Sequence, residues 1–250
     1  MILFPNANES PGARVISAWQ AVEERQKAKA PTYWVVTQPS HAALAGDLAA
    51  ALRGDLFGPI DVTISRSIAL HDSGWSMQDA EQIQRLRSHP KLPPWSFLDA
   101  SSHQFLQAWT SSIDTAEQFA PVGGYIVSRH FERISARDDQ KNQAKLESFR
   151  KREKQRQARL RGKTKVEETA LERLVDALQF CDLLSLYLCC GSRLPVRFAN
   201  PDLTVTRAEE EYRFEPFPFR EHQQFSFSAL RHPAPGDKKE KSGATFYINL

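Results

Sequence analysis

Apolar residues recur along this chain mostly at helical spacing, and the polar residues that interrupt the recurrence are the informative ones. Val15, Ile16, Trp19 and Val22 predict a helix from Ala13 to Lys27. Tyr33-Trp34-Val35-Val36-Thr37 is a short β-type run ending at Pro39-Ser40. Ser40 as N-cap then opens a helix reaching Leu52. Asp61 to Asp72 predicts a further helix that stops near Ser73-Gly74, and Pro90, Pro93 and Pro94 predict a loop from Ser88 to Ser96. Another helix runs from Ser102 to Phe119, where Pro121 and two glycines break it, and the next covers Tyr125 to Ser135. Asp138 to Leu160 has almost no Gly or Pro and predicts a long exposed helix ended by Gly162. A strongly amphipathic helix follows from Val166 to Cys190.

After Gly191 the pattern changes. Tyr212-Arg213-Phe214, Phe225-Ser226-Phe227 and Thr245-Phe246-Tyr247-Ile248 alternate or carry aromatics between Pro and Gly residues, which is strand patterning. The fold class this predicts is mainly α. It has a helical extension over residues 1–30, a helical domain over 31–195, and a small β-rich C-terminal piece over 196–250 joined by the early strand at Tyr33. No internal repeat is present.

Composition narrows the class. With 41% hydrophobic and 25% charged residues, the 250-residue chain has ordinary globular make-up. The net charge of +3 is uneven: Arg137 to Lys165 holds twelve Lys or Arg against four Asp or Glu, a local +8 that leaves −5 elsewhere. A protein-wide basic field for nucleic acid is absent, and one segment alone could supply such a field. Cys181, Cys189 and Cys190 lie in one short stretch without zinc-site spacing, so reduced, buried thiols in a cytoplasmic protein are the simpler reading. No apolar run reaches the length of a membrane span, and the start MILFPNANESPG lacks signal-peptide organisation.

The candidate chemistry lies where apolar faces carry polar groups. Asp182 and Ser185 interrupt the stripe Leu171, Leu174, Val175, Leu178, Leu186, Cys189. Burying a bare carboxylate is costly unless it is paired or metal-bound. His41 begins the stripe Leu44, Ala45, Leu48, Leu52, while His71-Asp72 ends the stripe Ile64, Ile68, Asp72, Trp75. His103 shares a face with Leu106 and Ile113, and His130 lies in line with Ile126, Val127 and Ile134. Each alone has a plain structural reading, since a core histidine more often bonds a backbone carbonyl. Five helices that each offer such a group point to a shared metal site. Imidazole with carboxylate suits Fe, Mn, Zn or Co. Six side chains around one octahedral ion would leave no open position; shared between two ions, with one Asp bridging, they leave room for substrate. His89, His222 and His232 are expected at the surface.

The ordered set His41, His71-Asp72, His103, His130, Asp182 resembles the H…HD…H…H…D pattern of the HD-domain superfamily, at spacings of 30, 31, 27 and 52 residues. That superfamily has a helical core and includes phosphohydrolases, nucleotidases, cyclic-dinucleotide phosphodiesterases and diiron oxygenases. Thr37-Gln38-Pro39-Ser40-His41, His71-Asp72-Ser73-Gly74-Trp75, Val127-Ser128-Arg129-His130 and Asp182-Leu183-Leu184-Ser185-Leu186 resemble the narrower domain-of-unknown-function family 3891. The resemblance implies that His41, His71, Asp72 and Asp182 hold one ion, and that Asp72 bridges to a second completed by His103 and His130. The cofactors would be two divalent or mixed-valent ions, Fe or Mn foremost, with His71 and Asp72 at the catalytic centre. No GYP-type signature is present, which argues against that class of cyclic-dinucleotide phosphodiesterase.

The expected function is a dinuclear metal-dependent phosphohydrolase acting on a small anionic, phosphorylated or nucleotide-like substrate. Arg133, one turn from His130, would hold the phosphate, with Arg129 a weaker candidate for the same role because its phase turns it away; either could equally be a surface arginine. A diiron oxygenase with the same ligands is the alternative, and a metal-stabilised interaction protein a further one. For the basic helix, a solvated face with i,i+4 ion pairs is the simpler reading.

Overall fold

The structure, a computed structural model, describes residues 1–7, 9, 14–136, 143–208, 211–233 and 242–250. In chain order the described elements begin with β1 (Ile2–Pro5), β2 (Ile16–Ser17), α1 (Ala18–Lys27), β3 (Tyr33–Val36), α2 (Gln38–Ala51), α3 (Gly54–Phe57), α4 (Val62–Ala69) and α5 (Ser76–Ser88). They continue with α6 (Ser102–Phe119), α7 (Pro121–Ser135), α8 (Gln143–Arg161), α9 (Glu168–Cys189), β4 (Val196–Ala199), β5 (Asp202–Ala208), β6 (Glu211–Glu215), β7 (Gln224–His232) and β8 (Gly243–Asn249).

Helix accounts for 56% of the structure, yet an eight-stranded mixed sheet draws strands from both ends of the chain. The architecture is therefore α/β and not mainly α or all-α. The strand order is β1-β3-β7-β8-β6-β5-β4-β2, antiparallel except for the β6–β8 and β2–β4 pairs. β1, β2, β4 and β5 were not expected; short runs such as Ile2–Pro5 gain their identity from pairing, here Ile2 with Val36 and Pro5 with Tyr33, and β5 from pairing with β4 and β6.

Both edge strands, β1 and β2, pack on α1. Gln26 of α1 serves the free side of β1: its Oε1 accepts from Leu3 N at 2.9 Å and its Nε2 donates to Leu3 O at 2.9 Å. The carboxamide thus completes the backbone pairing of an edge that would otherwise recruit another strand. α1 also packs on α9, the helix buried along most of its length from Leu171 to Cys189.

Local signals fix several boundaries differently from the periodicity. α1 begins at Ala18, because Ile16 and Ser17 pair in parallel with Val196 and Arg197; Ala13 lies outside the described residues. α2 is capped by Thr37, not Ser40: the Thr37 hydroxyl accepts from Ser40 N at 3.2 Å, and Pro39 fits the first turn, where a missing N–H costs nothing. Pro121 opens α7 by the same logic. α5, after the break at Ser73-Gly74, carries no strong apolar stripe to predict it, since it buries only Asp79 and Leu86.

The basic helix α8 is not exposed all round; the beginning of the expected span, at Asp138, lies outside the described residues. Leu146, Phe149, Glu153, Gln157 and Leu160 form a buried stripe. Glu153 is fully buried because each of its oxygens is served: Ser128 Oγ donates at 3.0 Å, Arg152 Nε lies at 2.9 Å and Arg156 Nε at 3.0 Å. Arg156 also reaches Asp114 and Glu117 of α6, and Arg159 reaches Glu117. Two of the arginines of α8 are thus balanced by a neighbouring helix.

α2 crosses α4 at Gly46, where a Cβ would stand 2.6 Å from Ala69 Cβ and 2.8 Å from the Ser65 carbonyl. Such overpacking costs roughly 1–3 kcal/mol. Gly46→Val is expected to lower the unfolding free energy read from urea denaturation by that amount, and the midpoint with it, whereas Gly54→Ala, where a Cβ meets open space, leaves both nearly unchanged. Equal midpoints for the two variants would show that this crossing does not constrain the fold.

Candidate metal centre

Four segments deliver the site. His41 stands in the first turn of α2, whose start is held by the Thr37 cap and by Asp79 Oδ2, which accepts from Gln38 N at 2.6 Å. His71 and Asp72 occupy the turn after α4, where the chain leaves the helix and enters the 3-10 turn Ser73–Trp75. Gly74 pins that turn to α6: its N–H donates to Ser112 Oγ at 2.9 Å, and any Cβ there would collide with the Ala108 carbonyl. His130 comes from the middle of α7, and Asp182 from the middle of α9.

The side chains converge. His41 Nε2 lies 3.0 Å from Asp72 Oδ2, and His71 Nε2 lies 3.3 Å from Asp182 Oδ1 and 3.8 Å from Asp72 Oδ2. His130 Nε2 is 3.5 Å from Asp182 Oδ2. One ligand atom each from His41, His71 and Asp182 fall within 4.8 Å of one another, a spacing that one metal ion can bridge. The imidazoles are buried to 1% exposure or less, while the Asp72 and Asp182 side chains keep 11% and 15%. Solvent therefore reaches the centre along the carboxylates.

The backbone decides which nitrogen of His71 faces inward. Nδ1 lies 2.8 Å from the Ile68 carbonyl, which can only accept, so Nδ1 carries hydrogen. Neutral His71 then points a bare Nε2 lone pair at carboxylate oxygens, an arrangement that requires a cation between them. Without a metal that cation is a proton. Burial alone would depress the His71 pKa, but Asp72 and Asp182 outweigh it and raise it from 6.5 to about 9. For Asp182, burial pushes up and the three imidazoles, His71 first, pull down to about 2. A second-sphere hydrogen bond to a carbonyl is also how proteins orient metal-ligating histidines, and imidazole with carboxylate is a donor set for Fe, Mn or Zn.

Three expected site residues are not brought to this centre. His103 is exposed in the first turn of α6. At roughly 100° per residue it lies about 120° from Trp109, which belongs to the buried face of Ala108, Trp109, Ser112, Ile113 and Ala116. α6 meets the His71-Asp72 turn through Ala108 and Ser112, more than a turn further along. The six-ligand, two-ion set is thereby reduced to five residues. Arg133 is held by α9, with Nη1 2.6 Å from Asp176 and Nη2 2.7 Å from Glu172. Arg129 pairs with Glu172 and Glu132. Neither guanidinium is directed at the centre, because acidic residues of α9 and α7 compete for them.

His89 and His222 are exposed, but His232 is buried at the end of β7, where its Nε2 lies 2.7 Å from the Leu92 carbonyl. Cys181, Cys189 and Cys190 are free and buried, and burial raises all three thiol pKa values. Ser185 belongs to the site although its role was not assigned from the sequence: its Oγ lies 2.8 Å from His41 Nδ1. The available signal was its place one turn after Asp182 in the same apolar stripe.

Fold and site together define an α/β protein with a buried cluster of histidines and aspartates suited to a metal ion. The chain belongs to the family described as "Protein of unknown function (DUF3891)", which matches residues 25–230. No curated protein and no solved structure matches the chain. No helix among the described residues is long and apolar enough to cross a membrane.

The raised His71 pKa fixes the sign of two pH dependences. In the metal-free protein the protonated ring stabilises the fold fully below pH 6.5, and this contribution is lost as pH rises through about 9. A metal must displace the same proton, so Mn²⁺ affinity is expected to rise with pH from 6.5 towards 9 and then level off. Calorimetric titration in buffers of different ionisation enthalpy would read this proton release. An affinity flat across that range would remove His71 from the ligand set.

Proposed function

We propose that this protein is a metal-dependent hydrolase of small phosphoesters, built around one divalent ion held by His41, His71 and Asp182 with Asp72 beside them. The observation that carries the reading is the inward-facing Nε2 of His71, fixed by the Ile68 carbonyl and opposed by two carboxylates, a position that takes a proton or a metal. Manganese and iron fit the mixed imidazole and carboxylate donors. The phosphoester class rests on the resemblance of His41, His71-Asp72, His130 and Asp182 to the HD-type pattern. A dinuclear hydrolase or a diiron oxygenase would need ligands for a second ion, and of the residues proposed for that role His103 lies elsewhere.

When bound, such an ion supplies Lewis acidity that activates water at neutral pH and polarises a substrate oxygen. The chain's own groups divide the remaining work. The buried rings of His41 and His71 wall the centre and exclude bulk water. Asp72 and Asp182 line the side open to solvent, where a substrate enters and a proton can be accepted. His130 holds Asp182 from the α7 side.

Metal content of protein purified anaerobically with manganese or iron supplied, followed by assay on phosphomonoesters and phosphodiesters, tests this reading. Stoichiometric metal and metal-dependent turnover are expected. Asp182→Asn and His41→Ala should lose more activity than the roughly 10–100-fold typical of outer-sphere changes, while His103→Ala should match the wild type. Absence of bound metal under these conditions would sink the proposal; loss of activity in His103→Ala would restore the six-ligand set.

A further inference from the structure

We infer that Ser185 is a positioning residue that sets the tautomer of His41 and reverses its own hydrogen bond when metal binds. The inference rests on the metal reading above. Ser185 is fully buried and sits one turn after Asp182, so α9 supplies both a ligand and the group that orients a ligand from α2. Its Oγ lies 2.8 Å from His41 Nδ1 and 2.8 Å from the Asp182 backbone carbonyl. A hydroxyl has one hydrogen and two lone pairs, so it can serve the ring in two ways.

In one arrangement the hydroxyl donates to His41 Nδ1, and Nε2–H donates to Asp72 Oδ2 across 3.0 Å. In the other, the hydroxyl turns to the Asp182 carbonyl and accepts from Nδ1–H. Nε2 is then bare and able to ligate. The carbonyl tolerates either, because the helical backbone ladder also serves it. Both rings and the hydroxyl are sealed from bulk water, so no solvent molecule substitutes when the hydroxyl is removed. His71 has no such freedom, since a carbonyl only accepts. The centre thus joins one histidine with a fixed tautomer to one whose tautomer a hydroxyl can switch.

The test compares wild type, Ser185→Ala and Ser185→Thr. Zn²⁺ affinity by chelator competition is expected to fall about 10–100-fold in Ser185→Ala, the effect of losing an outer-sphere partner, and to return towards wild type in Ser185→Thr. Nitrogen NMR of the ring should show His41 as the Nδ1–H form in the Zn²⁺-loaded wild type. Denaturation midpoints of the metal-free proteins separate loss of affinity from loss of fold. If the wild type binds no Zn²⁺, the metal reading falls and this inference with it. If it binds and Ser185→Ala binds equally, or if loaded His41 keeps hydrogen on Nε2, the Ser185 role alone is overturned.

Discussion

Two mostly buried carboxylates packed among three buried imidazoles have to be balanced by positive charge placed between them. That requirement organises the centre of this protein. Desolvating Asp72 and Asp182 is costly unless a cation answers them. The Ile68 carbonyl prevents His71 from relaxing to a tautomer that would satisfy Asp182 while remaining neutral. A proton or a metal ion must therefore reside at Nε2, and the same geometry accommodates either. The proposed affinity for metal and the stability of the metal-free fold would then be two expressions of one electrostatic demand.

The surrounding architecture holds the four contributing segments close enough for that demand to arise. Gly46 lets α2 approach α4, which brings His41 to the turn bearing His71 and Asp72. Gly74 and Ser112 fix that turn against α6. α9 lies in the core and carries Asp182 and Ser185 on one face. Farther out, α1 contacts both edges of the sheet as well as α9, so the strands and the helix with the carboxylate are joined through it. The Arg129, Arg133 and Glu172 network links α7 to α9 within a turn of His130 but well before Asp182 along α9. Partly exposed ion pairs of this kind contribute little stability each; their evident effect is to keep both arginines out of the centre.

The sequence by itself determined the helices that carry strong periodicity and the identity of the polar residues inside their apolar stripes. α6 and α9 follow the predicted spans closely, and His41, His71, Asp72, His130 and Asp182 meet as their shared burial implied. Burying a polar group among apolar neighbours carries a cost that demands a partner, and that demand is visible in a stripe before any contact is known. The family relationship was legible too, from the short motifs around His41, His71, His130 and Asp182.

Tertiary structure alone decided the rest. Strands were marked at β3, β6, β7 and β8, and β3 does join β7, but short strands such as β1, β2 and β4 become strands only by pairing with distant partners, so the extent of the sheet was not legible in local pattern. The buried face of α8 was hidden because Glu153 and Gln157 stand in its stripe, and their burial depends on Ser128, Arg152 and Arg156. His103 shows the converse: it matched the motif order, but the phase of α6 and the point where that helix meets the turn leave it in solvent. Periodicity reports that a side chain faces a surface. Which surface it faces, and how far along the helix, depends on crossings set by residues remote in sequence, such as Gly46 and Gly74.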